Sequence, residues 1–391
     1  VLALVWRVLR GEEVRELPRP FAVPAAAVLA LASASLVWAV DPVAANDQLA
    51  FFWLPFAALV AVIARAPVDR RLPRLLALAL VVPAALYATV GLAQAASGRI
   101  FFSSPDLAAG NAYGSLFRVT SLFDDPSHYG RYLVLAIAVV LVALWLGRAR
   151  LGPGIAVLAL LGAGLWFSYS QSSAVALMAV VLALAFVAGG ARTRRVAGVA
   201  TAAIVVAVAA FLSVQMGGGS DRSVTSERSR LVEDTTVVFV NHPVLGVGVA
   251  GQPLASREEA GARGSQRRSA SHTTPLTVAS EVGAVGLVLY VALLAGVVYV
   301  LAGARARYPA LGLGLAAALV VLFVHSLFYD GFFDNPITWG VFAVGAAASG
   351  APAGQRGRAA AGVLARTSGA TGEQGPPAAP GPRVRGAPSG G

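Results

Sequence analysis

Along this chain, stretches of about twenty apolar residues alternate with short polar turns. A bilayer-spanning helix needs about 20 mostly apolar residues. Ten stretches meet that need: 22–40, 48–65, 74–95, 131–147, 152–169, 172–189, 196–216, 277–303, 309–329 and 336–350. The fifth and sixth are separated only by Ser-Tyr-Ser-Gln-Ser-Ser, so they read as a tight hairpin or one broken unit. Two connections are long, 96–130 and 217–276. In the second, apolar positions recur between charges over Arg228–Val240 and predict a helix at the membrane surface, stopped before Pro243. The Gly-Val-Gly-Val-Ala-Gly that follows lets backbone pass close to a neighbour. Residues 351–391 are rich in Ala, Gly, Pro, Arg and Ser without apolar period and predict a disordered cytoplasmic tail. The pattern is that of an all-α integral membrane protein. Its membrane domain covers 1–350 and includes 217–276 as a long extracytoplasmic loop; the opening Val-Leu-Ala-Leu-Val-Trp is too short to span and reads either as a non-ATG start translated literally or as the end of a helix truncated at the N-terminus.

Composition agrees. The chain is 57% hydrophobic and 13% charged, against about 25% charged in soluble domains. All 30 basic residues are arginine, and cysteine is absent, which excludes disulfides, thiolate nucleophiles and cysteine metal sites. The net charge of +11 does not point to nucleic acid, because the arginines cluster between apolar stretches. Those clusters, such as Arg65, Arg70, Arg71 and Arg74, or Arg192, Arg194 and Arg195, flank alternate turns. Short turns on the other side, Asp-Pro-Val-Ala-Ala-Asn-Asp and Asp-Gly-Phe-Phe-Asp-Asn, have none. The positive-inside rule then predicts both termini in the cytoplasm of a bacterial inner membrane protein.

The opposite face gathers Arg118, Asp124, Asp125, His128, Arg222, Arg228, Arg230, His242 and His272. Guanidinium groups grip phosphate oxygens with paired donors, so arginines beside a bilayer suit a phosphorylated lipid; contact with ordinary headgroups is the plainer alternative. Asp124 and Asp125 before Pro126 suit turn chemistry better than a metal. His242, before Pro243, reads equally as a cap of the surface helix, and Glu281 as a packing or hydrogen-bonding group within a span.

Three segments change that balance. His272 is followed by an aliphatic stretch, with Glu281 nine residues on and Gly283 two further. Asn-His-Pro-Val-Leu-Gly-Val-Gly ends at Gly248, and Arg228 stands fourteen residues before its His242. Phe-Arg-Val-Thr-Ser-Leu-Phe-Asp-Asp-Pro-Ser precedes the fourth span and contains Arg118. Taken together, over roughly 22–350, these resemble the O-antigen ligase and O-antigen polymerase superfamily. Departures are Ser121 for glycine, Ser127 and Thr273 for asparagine, and Val232 for tryptophan. The resemblance implies a C-type glycosyltransferase-like fold that moves a glycan from undecaprenyl diphosphate to an acceptor sugar hydroxyl, in the assembly of cell-surface polysaccharide. It implies no metal, nucleotide or other cofactor, and inversion at the anomeric carbon. In that frame His272 takes the acceptor proton, Arg118, Arg228 and Arg230 hold the diphosphate, and Glu281 and His242 support them. The partners are the carrier-linked glycan, an acceptor glycan or glycolipid, and membrane lipids. A lipid-linked oligosaccharide transporter or flippase, or an inactive truncated copy, are the alternatives.

Overall fold

The structure is a computed structural model that describes residues 16–101, 117–191, 224–261 and 271–350 together with isolated positions between them; for 224–229 it describes the backbone alone. The predicted span 196–216 apart from Gly198, the tail 351–391, and Arg222 all lie outside the described residues. The described residues form helices and turns, with no strand among them. In chain order the α-helices are α1 (Arg19–Ala34), α2 (Pro42–Gln48), α3 (Leu54–Ile63), α4 (Leu72–Ser97), α5 (Pro126–Trp145), α6 (Leu151–Ser168), α7 (Gln171–Ala188), α8 (Val224–Asn241), α9 (Gln252–Glu259), α10 (Thr274–Arg307), α11 (Pro309–Ser326) and α12 (Pro336–Ser349). Seven helical stretches are long and apolar enough to cross a membrane, and Gln171–Val187 and Pro336–Ser349 are shorter apolar helices. These account for nine of the ten expected stretches; the remaining one is 196–216.

Caps decide where several of these helices start. Asp41 and Asp125 accept backbone N–H bonds from Ala44 and Ser127, and Pro42 and Pro126 follow them at the first helical position. Proline is pre-organised there because its missing N–H is not needed. The second and fourth spans therefore begin at Pro42 and Pro126, some five residues before the apolar pattern alone suggests. Between α2 and α3 the second span contains a π-helical turn, Leu49–Trp53. The Ser-Tyr-Ser-Gln-Ser-Ser segment is a tight hairpin: Tyr169 takes a left-handed φ of 48° and Ser170 caps α7 through Ser173 N–H.

Two groups of helices meet at α11. Helices α4, α5, α6 and α7 pack on one another, α10 packs on α1 and α12, and α11 touches α5, α7, α10 and α12. Burial follows position, since the most apolar windows of α5 and α11 are 61% buried and that of α4 only 17%. The outer faces carry exposed apolar side chains such as Leu75, Val82, Trp166 and Val288, as lipid contact requires. Small residues bring helices close: Tyr129 of α5 fits against Gly91 of α4 and Gly164 of α6, and Gly296 of α10 lies against the Pro20–Phe21 backbone of α1.

Candidate functional site

At one end of the bundle the three sequence motifs become one structure. Helix α10 is broken at Gly283, which has φ 68° and ψ −170°. Into that break docks the strap after α8. Val247 and Gly248 donate N–H bonds to the carbonyls of Ser280 (3.0 Å) and Glu281 (2.8 Å), and Ala284 donates to Pro243 (2.8 Å). A Cβ at Gly283 would collide with the carbonyl of Val244, and one at Gly246 with the backbone of Glu281. The glycines of both motifs are thus needed by each other. The strap is also tied to the first span, because Val40 donates to Val247 O at 2.9 Å and Val249 to Ser35 Oγ at 3.1 Å.

Glu281 sits under this strap, and its carboxylate accepts backbone hydrogen bonds from Ala250 and Gln252. His242 lies at the strap's start; its Nε2 pairs with Glu259 Oε1 at 2.9 Å and ties α8 to α9. Arg230 is half-exposed and stands 3.9 Å from Asp234, one turn along the same helix. These two side chains hold the loop's own architecture. Arg228 lies in α8, in a part described by backbone alone.

The third motif is shaped by Gln94 of α4. Its Oε1 accepts from Thr120 N–H and Ser121 N–H (2.7 Å), and its Nε2 donates to Ser121 O (2.8 Å). Ser121 has φ 55°, a left-handed conformation that few residues other than glycine adopt. This clamp delivers Arg118, whose Nε donates to the carbonyl of Ser168 at 3.4 Å where α6 ends.

From Arg118 a chain of hydrogen bonds and then ring contacts leads to His272. Ser170 N–H donates to Ser168 Oγ (3.2 Å), Ser170 Oγ meets Ser172 Oγ (3.2 Å), and Ser172 Oγ meets His325 Nε2 (3.1 Å). The His325 ring lies 5.7 Å from that of Tyr329. Tyr329 in turn stacks on His272, at 6.2 Å with an interplanar angle of 6°, and meets His128 edge-on at 5.0 Å. Three imidazoles therefore surround one phenol. Burial, and then the negative charge of Asp125, holds that phenol well above its ordinary pKa, so it stays protonated.

Residues that the sequence did not single out complete the site. Asp330, one residue beyond Tyr329, accepts from Thr274 Oγ1 (2.7 Å), Thr277 Oγ1 (3.2 Å) and Gly331 N–H (2.9 Å) and interacts electrostatically with His272. Arg131, on the second turn of α5, interacts with Tyr329, Asp125 and Asp334. Asp334 binds Gln48 Nε2. Desolvation first, and then the neighbouring Asp330 carboxylate, raise the Asp334 pKa to about 6. Among the described residues no group of three or more His, Asp or Glu side chains is arranged for a metal ion.

Residues 155–291 match the family model of O-antigen ligase. The match supports an O-antigen ligase-related membrane protein. It starts in α6 and ends in α10, so it takes in the serine hairpin, the strap, His272 and Glu281. Arg118, Arg131, Tyr329 and Asp330 lie outside the matched segment and join the O-antigen ligase region through the contacts above. No curated protein matches the chain.

Proposed function

We propose that this O-antigen ligase-related protein is a membrane glycosyltransferase, of ligase or polymerase type, that joins a glycan from undecaprenyl diphosphate to an acceptor sugar hydroxyl on the outer face of the bacterial inner membrane. The observation that supports this reading is the buried chain of serine, histidine and tyrosine contacts that links Arg118, a cation suited to phosphate, with the His272 imidazole. The acceptor oxygen attacks the anomeric carbon while its proton passes to His272. The bond from that carbon to the diphosphate oxygen breaks, and its electron pair stays on the diphosphate. Arg118 and Arg228 stabilise the charge that develops there, and Arg131 adds a third cation near Tyr329. Asp330 favours the imidazolium that His272 becomes, by its negative charge. Tyr329 fixes the ring plane. Arg230 and His242 act at one remove, by holding α8 and the strap, and Glu281 by anchoring the strap beneath His272.

General-base help is worth roughly 10²–10⁴-fold. Replacing His272 by Ala is therefore expected to lower surface glycan at least about 100-fold at equal expression, and Arg118→Ala to lower it strongly as well. Both are read by immunoblot of surface polysaccharide against membrane-inserted protein. Normal surface glycan in both variants would remove these assignments.

A further inference from the structure

Between α1, the second span, α10 and the α11–α12 loop lies a partly open cavity of about 260 Å³ to which the transfer step above assigns no ligand. Its polar wall comes from three places in the chain. The π-helical turn of the second span sets Gln48 and Trp53 against it, α10 contributes Glu281 and Tyr290, and the α11–α12 loop contributes Asp330 and Asp334. Among the described residues none of the lining side chains is cationic.

The chemistry of this wall is selective. A wall of acids with no cation beside them offers phosphate no partner, so the carrier diphosphate has no place in it. A bare metal ion is poorly served, because Asp330 already accepts from two threonines and a backbone amide, and Glu281 from two backbone amides. Trp53 supplies the opposite need. It is 6% exposed, and its indole N–H has no hydrogen-bond partner among the described residues. A ligand that satisfies this wall must accept from an indole, donate to carboxylates, and offer an apolar face to aromatic rings. A sugar does all three, since each hydroxyl is one donor and two acceptor lone pairs and the ring's C–H face packs on aromatic side chains. The volume lies below the roughly 300–1,000 Å³ of drug-sized pockets, which suits one sugar ring rather than an oligosaccharide. Asp330 belongs both to this wall and to the surroundings of His272, and Thr274, also on the wall, is two residues from His272.

We infer that the cavity is a subsite for one neutral pyranose, held between the carboxylate wall and Trp53 with a hydroxyl directed toward His272. That this pyranose is the acceptor rests on the glycosyltransferase reading; that a sugar binds does not.

The test uses the full chain in lipid nanodiscs and saturation-transfer NMR with methyl glycosides of glucose, galactose, mannose and rhamnose. Ring protons of at least one glycoside should receive saturation. Trp53→Phe, which keeps the aromatic ring and removes the N–H, should weaken binding about fivefold. Val28→Phe, which fills the cavity from its apolar side without touching a polar group, should abolish it. Melting temperature is checked for each, and if Trp53→Phe does not fold, Val28→Phe decides. Absence of saturation on every glycoside, or signals unchanged by Val28→Phe, overturns the subsite. The same preparation of His272→Ala separates the two ideas. Sugar binding retained alongside normal surface glycan in that variant sinks the transferase reading and leaves the sugar site standing. Lost surface glycan with Val28→Phe binding like wild type sinks the subsite alone.

Discussion

Tyr329 ties the site together because one ring faces His128, His272 and His325. The two acids that follow it carry the pH dependence. Asp334 ionises near pH 6 in the folded protein instead of its ordinary 3.8, and Asp330 is shifted in the same direction, in both cases chiefly by desolvation. A raised carboxyl pKa means that the folded state holds the proton more tightly than the unfolded chain. Its contribution to stability is therefore complete below about 3.8 and is lost as pH rises through about 6. Asp334→Asn, which cannot ionise, should melt close to wild type at pH 4 and above it at pH 7, as read by thermal unfolding in nanodiscs. A difference between the two proteins that stays constant across that range would contradict the account. The sequence hid these acids for a physical reason: Asp-Gly-Phe-Phe-Asp-Asn reads as turn chemistry, and nothing in it says that the loop folds back onto Thr274 and Thr277. Arg131 was hidden differently. It is the first residue of the expected stretch 131–147, where an arginine reads as an interfacial anchor, and the earlier start at Pro126 moves it to the second turn of the helix.

The break in α10 and the strap docked in it are the elements on which His272 and Glu281 depend. A non-glycine residue in a left-handed conformation costs about 1–3 kcal/mol when held there, and at Gly283 a Cβ also meets the Val244 carbonyl. Gly283→Ala should thus lower the melting temperature by several degrees and expose the strap around Val244 and Leu245 to limited proteolysis. Gly314→Ala, in the interior of α11 with nothing within 4 Å of its Cβ position, should do neither. Equal behaviour of the two variants would mean that the strap is not held by the break. Both motifs were legible in the sequence as glycine spacings. Their interlocking was not, because Gly246 and Gly283 are far apart in the chain and meet only through backbone hydrogen bonds. The π-helical turn at Leu49–Trp53 was equally silent, since its residues fit an ordinary apolar span, yet it is what brings Gln48 and Trp53 to the cavity.

At the scale of the whole molecule, apolar stretches were enough to find nine helices among the described residues, seven of them long enough to span, and caps and prolines were needed to place their ends. Arg118, His272, Tyr329 and the cavity gather at the end of the bundle away from the arginine-rich turns at Arg70–Arg71 and Arg148–Arg150. We expect that end to face outward. The chain has no native cysteine, so a single cysteine at Val244 should react with an impermeant thiol reagent in intact cells, and one at Arg195 only after the membrane is opened. The reverse pattern would invert the orientation on which a transfer outside the cell depends. In the proposed transfer His272 removes the proton from an acceptor hydroxyl while arginines hold the departing diphosphate. That step is tested most directly by reconstituting the full chain in proteoliposomes with undecaprenyl diphosphate-linked glycan and a purified glycolipid acceptor, and measuring joined product over time. Wild type should give steady product, and His272→Ala a rate at least about 100-fold lower with donor still bound. Equal rates from the two proteins would contradict that step.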